Sequence, residues 1–380
     1  MKRVFFYVQH LLGIGHLRRA ATLARALARE SFDVLLVSGG APVPGLDAGG
    51  ARFHQLPPLR ARDEGLRELS RLDGTPLDDA FRALRVQRLL DLLKAERPDI
   101  LITEQFPFGR TQLRFELLPL LEAAKKMSKP PRIFASVRDV LRDTVSAERV
   151  AQTLATFDTF FDAVLVHADP ALVSLDKSFK GWAHLKDRAH YTGYVVEDDR
   201  SSTVATDDKV GRDEVIVSAG GGAVGGPLLR AAIAARPLTS LADRTWRLLV
   251  GDNLPAADGA ALTADPGVVI EPARGDFTRL LARSTLSISQ AGYNTVVETL
   301  MHADRAVLVP FATPRETEQT RRAQALAKRG LVQRVEAEGL DGPTLAAAVE
   351  RALTSRSIRS FPRCDANGGP ATAALLTKLA

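Results

Sequence analysis

Three glycine-rich turns hold the residues of this sequence that are best suited to chemistry. The first turn, Gly13-Ile14-Gly15-His16, directly follows an apolar segment. Glycine lets a tight turn approach a ligand closely, and histidine, whose ordinary pKa lies nearest neutrality, is suited to act as a general base. The turn therefore predicts either a catalytic His16 or a surface histidine beside an ordinary strand–helix turn.

The second turn has five glycines in the nine residues from Ser218 to Gly226. Backbone amides in such a turn can crowd around a phosphate; a flexible structural loop is the alternative. The pattern is neither the GxGxxG fingerprint nor the loop that ends in Gly-Lys-Ser or Gly-Lys-Thr. Nicotinamide cofactors and the chemistry of P-loop enzymes are therefore disfavoured.

The third turn begins at Gln290 and includes Gly292, Asn294 and Thr295. Asn294 or Thr295 is predicted to cap a helix whose first amides face a diphosphate. Glu298, about one helical turn further on, is placed to accept hydrogen bonds from ribose hydroxyls. A plain acidic residue near a helix N-terminus is the alternative for Glu298.

Three further segments follow predicted strands. Glu318 and Gln319 begin a helix and offer acceptors and donors suited to sugar hydroxyls, although the pair also suits a routine helix start. Glu104, Arg110 and Arg138 lie at the ends of two predicted strands of the first half. They are predicted to line an acceptor pocket in which an arginine reads an anionic group; a surface ion pair between Arg138 and its neighbour is the alternative.

Strand-like and helix-like segments alternate along the chain, which predicts parallel sheets with crossover helices. The first half is predicted to contain strands at 3–9, 33–38, 52–56, 99–104, 132–137 and 163–167 and helices at 15–29, 77–95, 114–127 and 146–160. The second half is predicted to contain strands at 214–218, 246–250, 268–270, 286–289 and 307–309 and helices at 227–236, 277–283, 295–302, 318–329 and 344–353. The predicted domains are 1–196 and 213–360, with a polar linker at 197–212 and a tail helix at 361–380 that could pack back on the first domain.

Composition limits the class of protein. A chain of 380 residues exceeds the usual size of one core, so two domains are expected. No apolar run approaches the roughly 20 residues that span a bilayer, the apolar start reads as a first strand, and the single cysteine, Cys364, fits a reducing, cytoplasmic compartment.

The net charge of +6 is unevenly placed. Residues 1–195 contain 29 Lys and Arg against 23 Asp and Glu, and the remainder is balanced. The excess suits an anionic acceptor or contact with an anionic membrane, and an arginine-rich surface without such a role is the alternative. Nucleic-acid binding is not expected, because the chain has no recognition module or stacking motif.

Taken together, the motifs resemble those of a known family. The segment from Gly292 to Glu298, the strand that ends at Pro310-Phe311, the pair Glu318-Gln319 and the later Arg322-Ala323 and Gly330 look like the donor-binding region of MurG-like glycosyltransferases, which are GT-B enzymes of the glycosyltransferase 28 type. The turn that ends at His16 is similar to the glycine–histidine turn of their N-terminal domain. The family often has Gly-x-Pro where Ala303-Asp304-Arg305 stands here, which puts a peptidoglycan role in doubt.

The resemblance implies an α/β chain with the GT-B fold, in which two Rossmann-like, doubly wound parallel-sheet domains face a cleft. It implies that the second domain binds a UDP-sugar: Gly220, Gly221 and the turn from Gly292 to Thr295 hold the diphosphate, and Glu298 binds the ribose. The backbone near Arg274 reads the base, and Glu318 and Gln319 contact the sugar. His16 is the candidate base, with Gly13, Gly15, Glu104, Arg110 and Arg138 on the acceptor side.

The implied reaction transfers a hexose or an N-acetylhexosamine from the UDP-sugar to an acceptor hydroxyl with inversion. No Asp-x-Asp pattern or zinc spacing occurs in the sequence, so metal-independent chemistry without a cofactor is expected, and the UDP-sugar is a substrate. The acceptor is undetermined; anionic and lipid-linked compounds, with peripheral contact at the inner face of the membrane, are candidates. The alternatives are a UDP-sugar 2-epimerase and a non-catalytic nucleotide-sugar-binding subunit.

Overall fold

The computed structural model describes residues 1–11, 13–62, 68–141, 146–197, 209–220, 224–251, 254–262, 265–313 and 317–380. The chain divides into two compact units. The N-terminal unit comprises Met1–Val196 together with Asp365–Ala380, and the C-terminal unit comprises Glu197–Cys364. Most of the predicted linker, at 198–208, lies outside the described residues.

The N-terminal unit is built on a seven-stranded parallel sheet. Its strands are β1 (Arg3–Val8), β2 (Asp33–Ser38), β3 (Arg52–Gln55), β6 (Ile100–Glu104), β7 (Arg132–Val137), β8 (Ala163–Val166) and β9 (Ala189–Tyr191), and a separate antiparallel hairpin is formed by β4 (Leu59–Ala61) and β5 (Leu69–Arg71). The helices are α1 (Gly15–Arg29), α2 (Asp79–Glu96), α3 (Arg114–Lys125), α4 (Ala147–Phe160), α5 (Trp182–Leu185) and the final α12 (Gly368–Leu379). The strand order is β3-β2-β1-β6-β7-β8-β9.

The core of this unit follows from the apolar central strands. β1 and β2 are almost entirely buried because helices cover both faces of a parallel sheet. α1 places Leu17, Leu23 and Leu27 against one face, and α12 adds Ala373 and Leu376 to the same cluster. The last helix of the chain thus packs beside the first helix that follows β1.

The C-terminal unit is built on a six-stranded parallel sheet. Its strands are β10 (Val215–Ser218), β11 (Trp246–Val250), β12 (Val268–Pro272), β13 (Leu286–Ser289), β14 (Ala306–Leu308) and β15 (Gln333–Arg334), and its helices are α6 (Gly226–Ala235), α7 (Ala256–Ala260), α8 (Phe277–Arg283), α9 (Tyr293–His302), α10 (Glu318–Lys328) and α11 (Gly342–Thr354). The strand order is β12-β11-β10-β13-β14-β15. The chain leaves β10 toward one edge and returns at β13 toward the other, so a topological switch point lies between these two strands.

The predicted α/β class, with two doubly wound parallel sheets, is confirmed. The short strands of the hairpin, β9 and β15 were not predicted, because segments of two or three residues carry no periodic pattern. The prediction that Asn294 or Thr295 caps a helix is wrong: α9 begins at Tyr293 and its N-cap is Gly292, without a side-chain cap. Both residues lie inside the first turn instead.

The described part of the chain has no helix that is both long enough and apolar enough to cross a bilayer.

Candidate active site

His16 lies in the first turn of α1, directly after the glycine turn that follows β1. Its ring nitrogen Nδ1 is 2.8 Å from Oε1 of Glu104, the last residue of the neighbouring strand β6. The His16 side chain is 15% exposed, whereas that of Glu104 is fully buried. A buried carboxylate that holds a partly exposed imidazole is the arrangement that orients a histidine base.

The Glu104 carboxylate is held by three side chains. Oε1 accepts from His16 and from the guanidinium of Arg19, one helical turn further along α1. Oε2 accepts a hydrogen bond of 2.7 Å from the hydroxyl of Ser136 on β7. Arg19 thus places a positive charge against the same oxygen that contacts the histidine.

The His16 imidazole is neutral at neutral pH because its pKa is lowered. Burial is the main cause that holds the pKa of His16 well below its usual value, and the positive charges of Arg138, Arg110 and Arg19 and the nearby His10 lower it further. A neutral imidazole beside a carboxylate donates its Nδ1–H, so the lone pair lies on Nε2. That nitrogen can accept a proton from a substrate hydroxyl.

The arginines predicted to lie on the acceptor side are near this pair. Arg110 adopts a left-handed conformation with φ 58°, and its Nε donates to the backbone carbonyl of Gln9 at 3.0 Å. This bond ties the loop after β6 to the end of β1. Arg138 follows β7, is half-buried, and is near enough for its charge to act on His16. The structure therefore brings both predicted arginines to the surroundings of His16.

The two glycines of the first turn have different positions. Gly13 leaves open space, since a Cβ built there would meet no described atom within 4 Å. Gly15 is the first residue of α1. The polypeptide beside His16 therefore presents backbone without a side chain, which a close-fitting ligand would require.

The structure brings the second and third glycine turns together at the switch point of the C-terminal sheet. They follow β10 and β13, which pair in parallel with their carboxyl ends side by side. A Cβ at Gly220, whose φ is +66°, would lie 3.9 Å from Oγ1 of Thr295, and Nε2 of Gln290 donates to the carbonyl of Val224 at 3.0 Å. Gly221 lies outside the described residues.

The N-terminus of α9 is open and firmly anchored. A Cβ at Gly292 would meet no described atom within 4 Å, so ligand groups can reach the helix amides there. The turn itself is held by Arg322, a buried residue of α10 whose Nη1 donates to the carbonyl of Ala291 at 2.6 Å. Asn294, Thr295 and the half-buried Glu298 follow on the first turns of the same helix.

Arg274 is occupied by acidic partners. Its Nε and Nη2 donate to the two carboxylate oxygens of Asp276 at 2.8 and 2.9 Å, and its Nη1 lies 3.4 Å from Glu271. The side chain is therefore committed within the protein, and the backbone of this segment is the part left to contact a ligand.

Glu318 and Gln319 begin α10. Oε1 of Gln319 accepts from the backbone N–H of Phe311 at 3.1 Å, which orients the amide and leaves its NH₂ group as a donor. Oε1 of Glu318 lies 3.5 Å from Nη2 of Arg322. The pair is thus connected, through the arginine, to the same turn that precedes α9.

Sequence reasoning missed the supporting role of several residues. Arg19 holds Glu104, and the sequence predicted no site role for it. Ser136 lay in a segment predicted to line the acceptor pocket, and Arg322 lay in the motif that resembles the donor-binding region. That Ser136 donates to Glu104 and that Arg322 anchors the turn before α9 are tertiary contacts, which no sequence pattern indicates.

No group of three or more His, Cys, Asp or Glu side chains that could hold a metal ion occurs among the described residues.

Comparison with known proteins finds a family match for part of the C-terminal unit. Residues 265–369 match the glycosyltransferase family 28 C-terminal domain. An 89-residue segment is 37% identical to the UDP-N-acetylglucosamine–N-acetylmuramyl-(pentapeptide) pyrophosphoryl-undecaprenol N-acetylglucosamine transferase of Exiguobacterium sp., a match that covers 23% of this chain and 25% of that relative.

Solved structures share the fold over the full chain. CalG4, the calicheamicin glycosyltransferase, is similar with a TM-score of 0.67 at 16% identity, over 100% of this chain and 98% of that one. MurG of Acinetobacter baumannii gives 0.59 at 16% identity over 100% of both chains. The UDP-GlcNAc 2-epimerase of Methanocaldococcus jannaschii gives 0.58 at 12% identity over 99% of both. Residues 265–369 therefore match the C-terminal domain of glycosyltransferase family 28, and the whole chain has the fold of MurG-like GT-B glycosyltransferases.

Proposed function

We propose that this protein is a glycosyltransferase that moves a hexose or N-acetylhexosamine from a UDP-sugar to an acceptor hydroxyl. The observation that carries the proposal is the neutral, oriented His16, whose Nδ1 is held by the buried Glu104 and whose Nε2 is left to accept a proton. The family 28 match over the donor-binding segment supports the class of reaction. The N-terminal unit supplies the base and the C-terminal unit binds the donor.

The chemistry is a direct displacement. Nε2 of His16 takes the proton of the acceptor hydroxyl as its oxygen attacks the anomeric carbon. The bond from that carbon to the β-phosphate oxygen breaks, UDP leaves, and the configuration inverts. The imidazolium that forms is stabilised by Glu104, and a positioned base of this kind contributes a rate factor of about 10² to 10⁴.

The leaving diphosphate needs compensation for its negative charge. The turn at Gly220 and the open N-terminus of α9 at Gly292 present backbone amides at the switch point, where a diphosphate is favoured. These amides are the basis for proposing metal-independent transfer without a cofactor. In the same proposal, the backbone near Arg274 contacts the nucleobase of UDP, and Glu298 binds the ribose hydroxyls.

The proposed contacts to the sugar, and the proposed class of acceptor, follow from the side chains near each site. Glu318 and the oriented amide of Gln319 offer an acceptor and a donor for sugar hydroxyls. Arg110 and Arg138 place positive charge near His16 and favour an acceptor with an anionic group. A lipid-linked pyrophosphate, such as the acceptor named for the Exiguobacterium relative, fits that charge and would place the reaction at the inner face of the membrane.

A ligand screen followed by product analysis tests the function. We expect UDP and UDP-sugars to raise the melting temperature, since a ligand that binds only the native state stabilises it, and chelation by EDTA to leave turnover unchanged. Incubation with UDP-GlcNAc or UDP-glucose and a panel of phosphorylated and lipid-linked hydroxyl acceptors is expected to yield a glycoside of inverted configuration, detected by NMR.

The main alternative is a UDP-sugar 2-epimerase, whose fold this chain shares. Formation of the 2-epimer from UDP-GlcNAc in the absence of acceptor would replace the transferase proposal. Binding of UDP-sugars without turnover under any of these conditions would instead favour a non-catalytic binding subunit.

A further inference from the structure

A continuous row of polar side chains crosses the N-terminal sheet beyond the His16–Glu104 pair. Glu104 ends β6, Ser136 is its register partner on β7, His167 directly follows β8 and Thr192 directly follows β9. These strands are neighbours in the sheet. Each of four adjacent strands thus contributes one member of the row, and His16 extends it from the β1 side.

The row is buried and closely bonded. The hydroxyl of Ser136 donates to Oε2 of Glu104 at 2.7 Å, Nε2 of His167 is 3.1 Å from the same hydroxyl oxygen, and Nδ1 of His167 is 2.9 Å from Oγ1 of Thr192. Ser136 and His167 are fully buried, and Thr192 is 2% exposed. Polar groups this deep in an apolar core are costly unless each is hydrogen-bonded.

The directions of the bonds in the row follow from proton counting and from the relative lengths of the contacts. Ser136 has one hydroxyl proton and gives it to Glu104, so it accepts from His167. His167 then carries its proton on Nε2, and its Nδ1 accepts from the Thr192 hydroxyl at 2.9 Å, a shorter contact than the 3.4 Å from that hydroxyl to the backbone oxygens of Val166 and Gly193. Burial and the charge of Arg19 hold the pKa of His167 well below its usual value, so the ring is neutral and has one proton.

We propose that His167 is a positioning residue for the His16–Glu104 pair, acting through Ser136 to keep the serine hydroxyl directed at Glu104. Its Nε2–H occupies the serine oxygen, so the serine proton is directed at Glu104. Glu104 is thereby kept as an acceptor on both oxygens, and His16 is kept in the Nδ1–H form. The catalytic part of this inference rests on the proposed role of His16 as a base.

Histidine NMR tests the row in the unmodified protein, without any activity. In protein labelled with ¹⁵N-histidine, two-bond ¹H–¹⁵N correlations distinguish the two neutral tautomers, and single variants of His16 and His167 assign their signals. We expect the Nε2–H tautomer for His167 and the Nδ1–H tautomer for His16 at pH 7. An Nδ1–H tautomer at His167 would overturn the proposal whether or not the protein turns over a sugar.

A matched pair of serine variants tests the coupling. Ser136→Ala removes a donor to Glu104, which makes the carboxylate more basic, so the pKa of His16 is expected to rise. Ser38→Ala removes a hydroxyl equally buried at the end of β2, for which the described residues provide no hydrogen-bond partner, and the His16 signals should not move. Identical His16 titrations in the two variants would refute the coupling.

Substitution of His167 separates positioning from packing. His167→Gln retains an N–H that can reach Ser136 and is expected to keep the wild-type His16 tautomer and acidic limb of kcat/KM. His167→Met fills the space without a donor and is expected to lower kcat about tenfold with donor KM unchanged, as the loss of one buried hydrogen bond allows. Equal kcat values and equal His16 titrations in the two variants would show a packing role only.

The two proposals fail in different ways. If the wild-type protein turns over no UDP-sugar but His167 shows the Nε2–H tautomer and Ser136→Ala moves the His16 titration, the positioning row stands and the glycosyltransferase proposal is wrong. If turnover is found but the titration does not move, the row is wrong and the function stands.

Discussion

Replacing Glu104 by glutamine removes the negative charge beside His16 and keeps the shape of the side chain. In the proposed reaction His16 becomes an imidazolium, and its Nδ1 lies 2.8 Å from Oε1 of Glu104. Coulomb's law with an effective dielectric constant of about 20 gives roughly 6 kcal/mol for unit charges at that distance. Arg19 contacts the same oxygen and offsets part of this stabilisation.

We therefore expect Glu104→Gln to cost about half of that energy, about 3 kcal/mol, which corresponds to roughly a hundredfold fall in kcat. The acidic limb of the kcat/KM profile is also expected to move to lower pH, because a carboxylate favours the protonated histidine and the amide does not. The affinity for UDP, which the proposal assigns to the C-terminal unit, should be unchanged.

Steady-state release of UDP across pH 5 to 9, together with calorimetric titration of UDP, measures these effects. Asp158→Asn is the matched control, because Asp158 and His184 form a similar histidine–carboxylate pair at 2.8 Å that is 42% and 46% exposed. A Glu104→Gln protein that folds normally and keeps kcat within twofold of wild type would refute the reasoning.

Three further outcomes are expected. Gly220→Ala places a Cβ on a backbone with φ +66°, so it should lower the free energy of unfolding by about 1–2 kcal/mol and weaken UDP binding. Thermal melts and calorimetry measure these effects, and an unchanged melting temperature and UDP affinity would contradict the prediction. Arg85→Met leaves Glu116 buried without its bidentate partner and should lower the free energy of unfolding, measured in urea, by about 3–5 kcal/mol. Adding Glu116→Leu should recover most of that stability, and an unchanged free energy of unfolding in Arg85→Met would show that the ion pair is not stabilising. The pKa values of His16 and His167 are lower in the folded than in the unfolded protein, so the unfolded state binds more protons below the ordinary histidine value near 6.5. The free energy of unfolding should therefore fall as pH drops through that value. The double variant with His16→Gln and His167→Gln should flatten this pH dependence, and an equally steep slope would contradict the assignment.

The long elements were predictable because their patterns are strong. β1, β2 and α1 were predicted within one residue, since continuous apolar runs and helical spacing leave little ambiguity. The start of α9 was misplaced because glycine caps a helix without a side-chain signal, and Asn and Thr are the residues that usually provide one.

The site was predictable in its location but not in its connections. Strand ends and glycine turns indicate where ligands bind in an α/β sheet, which led to His16, Glu104 and Gly292. The contact between His16 and Glu104 joins residues 88 positions apart and depends on β1 and β6 being neighbours. Sequence order gives no direct measure of that adjacency, so Glu104 was predicted to face the acceptor rather than to hold the base.

The role of His16 is tested most directly by His16→Ala, with UDP affinity and sugar turnover measured on the same protein. The account predicts an unchanged Kd for UDP and a turnover lower by about a hundredfold or more, while His184→Ala, which alters the exposed histidine of the control pair, behaves as wild type. Turnover of His16→Ala at the wild-type rate would contradict the account.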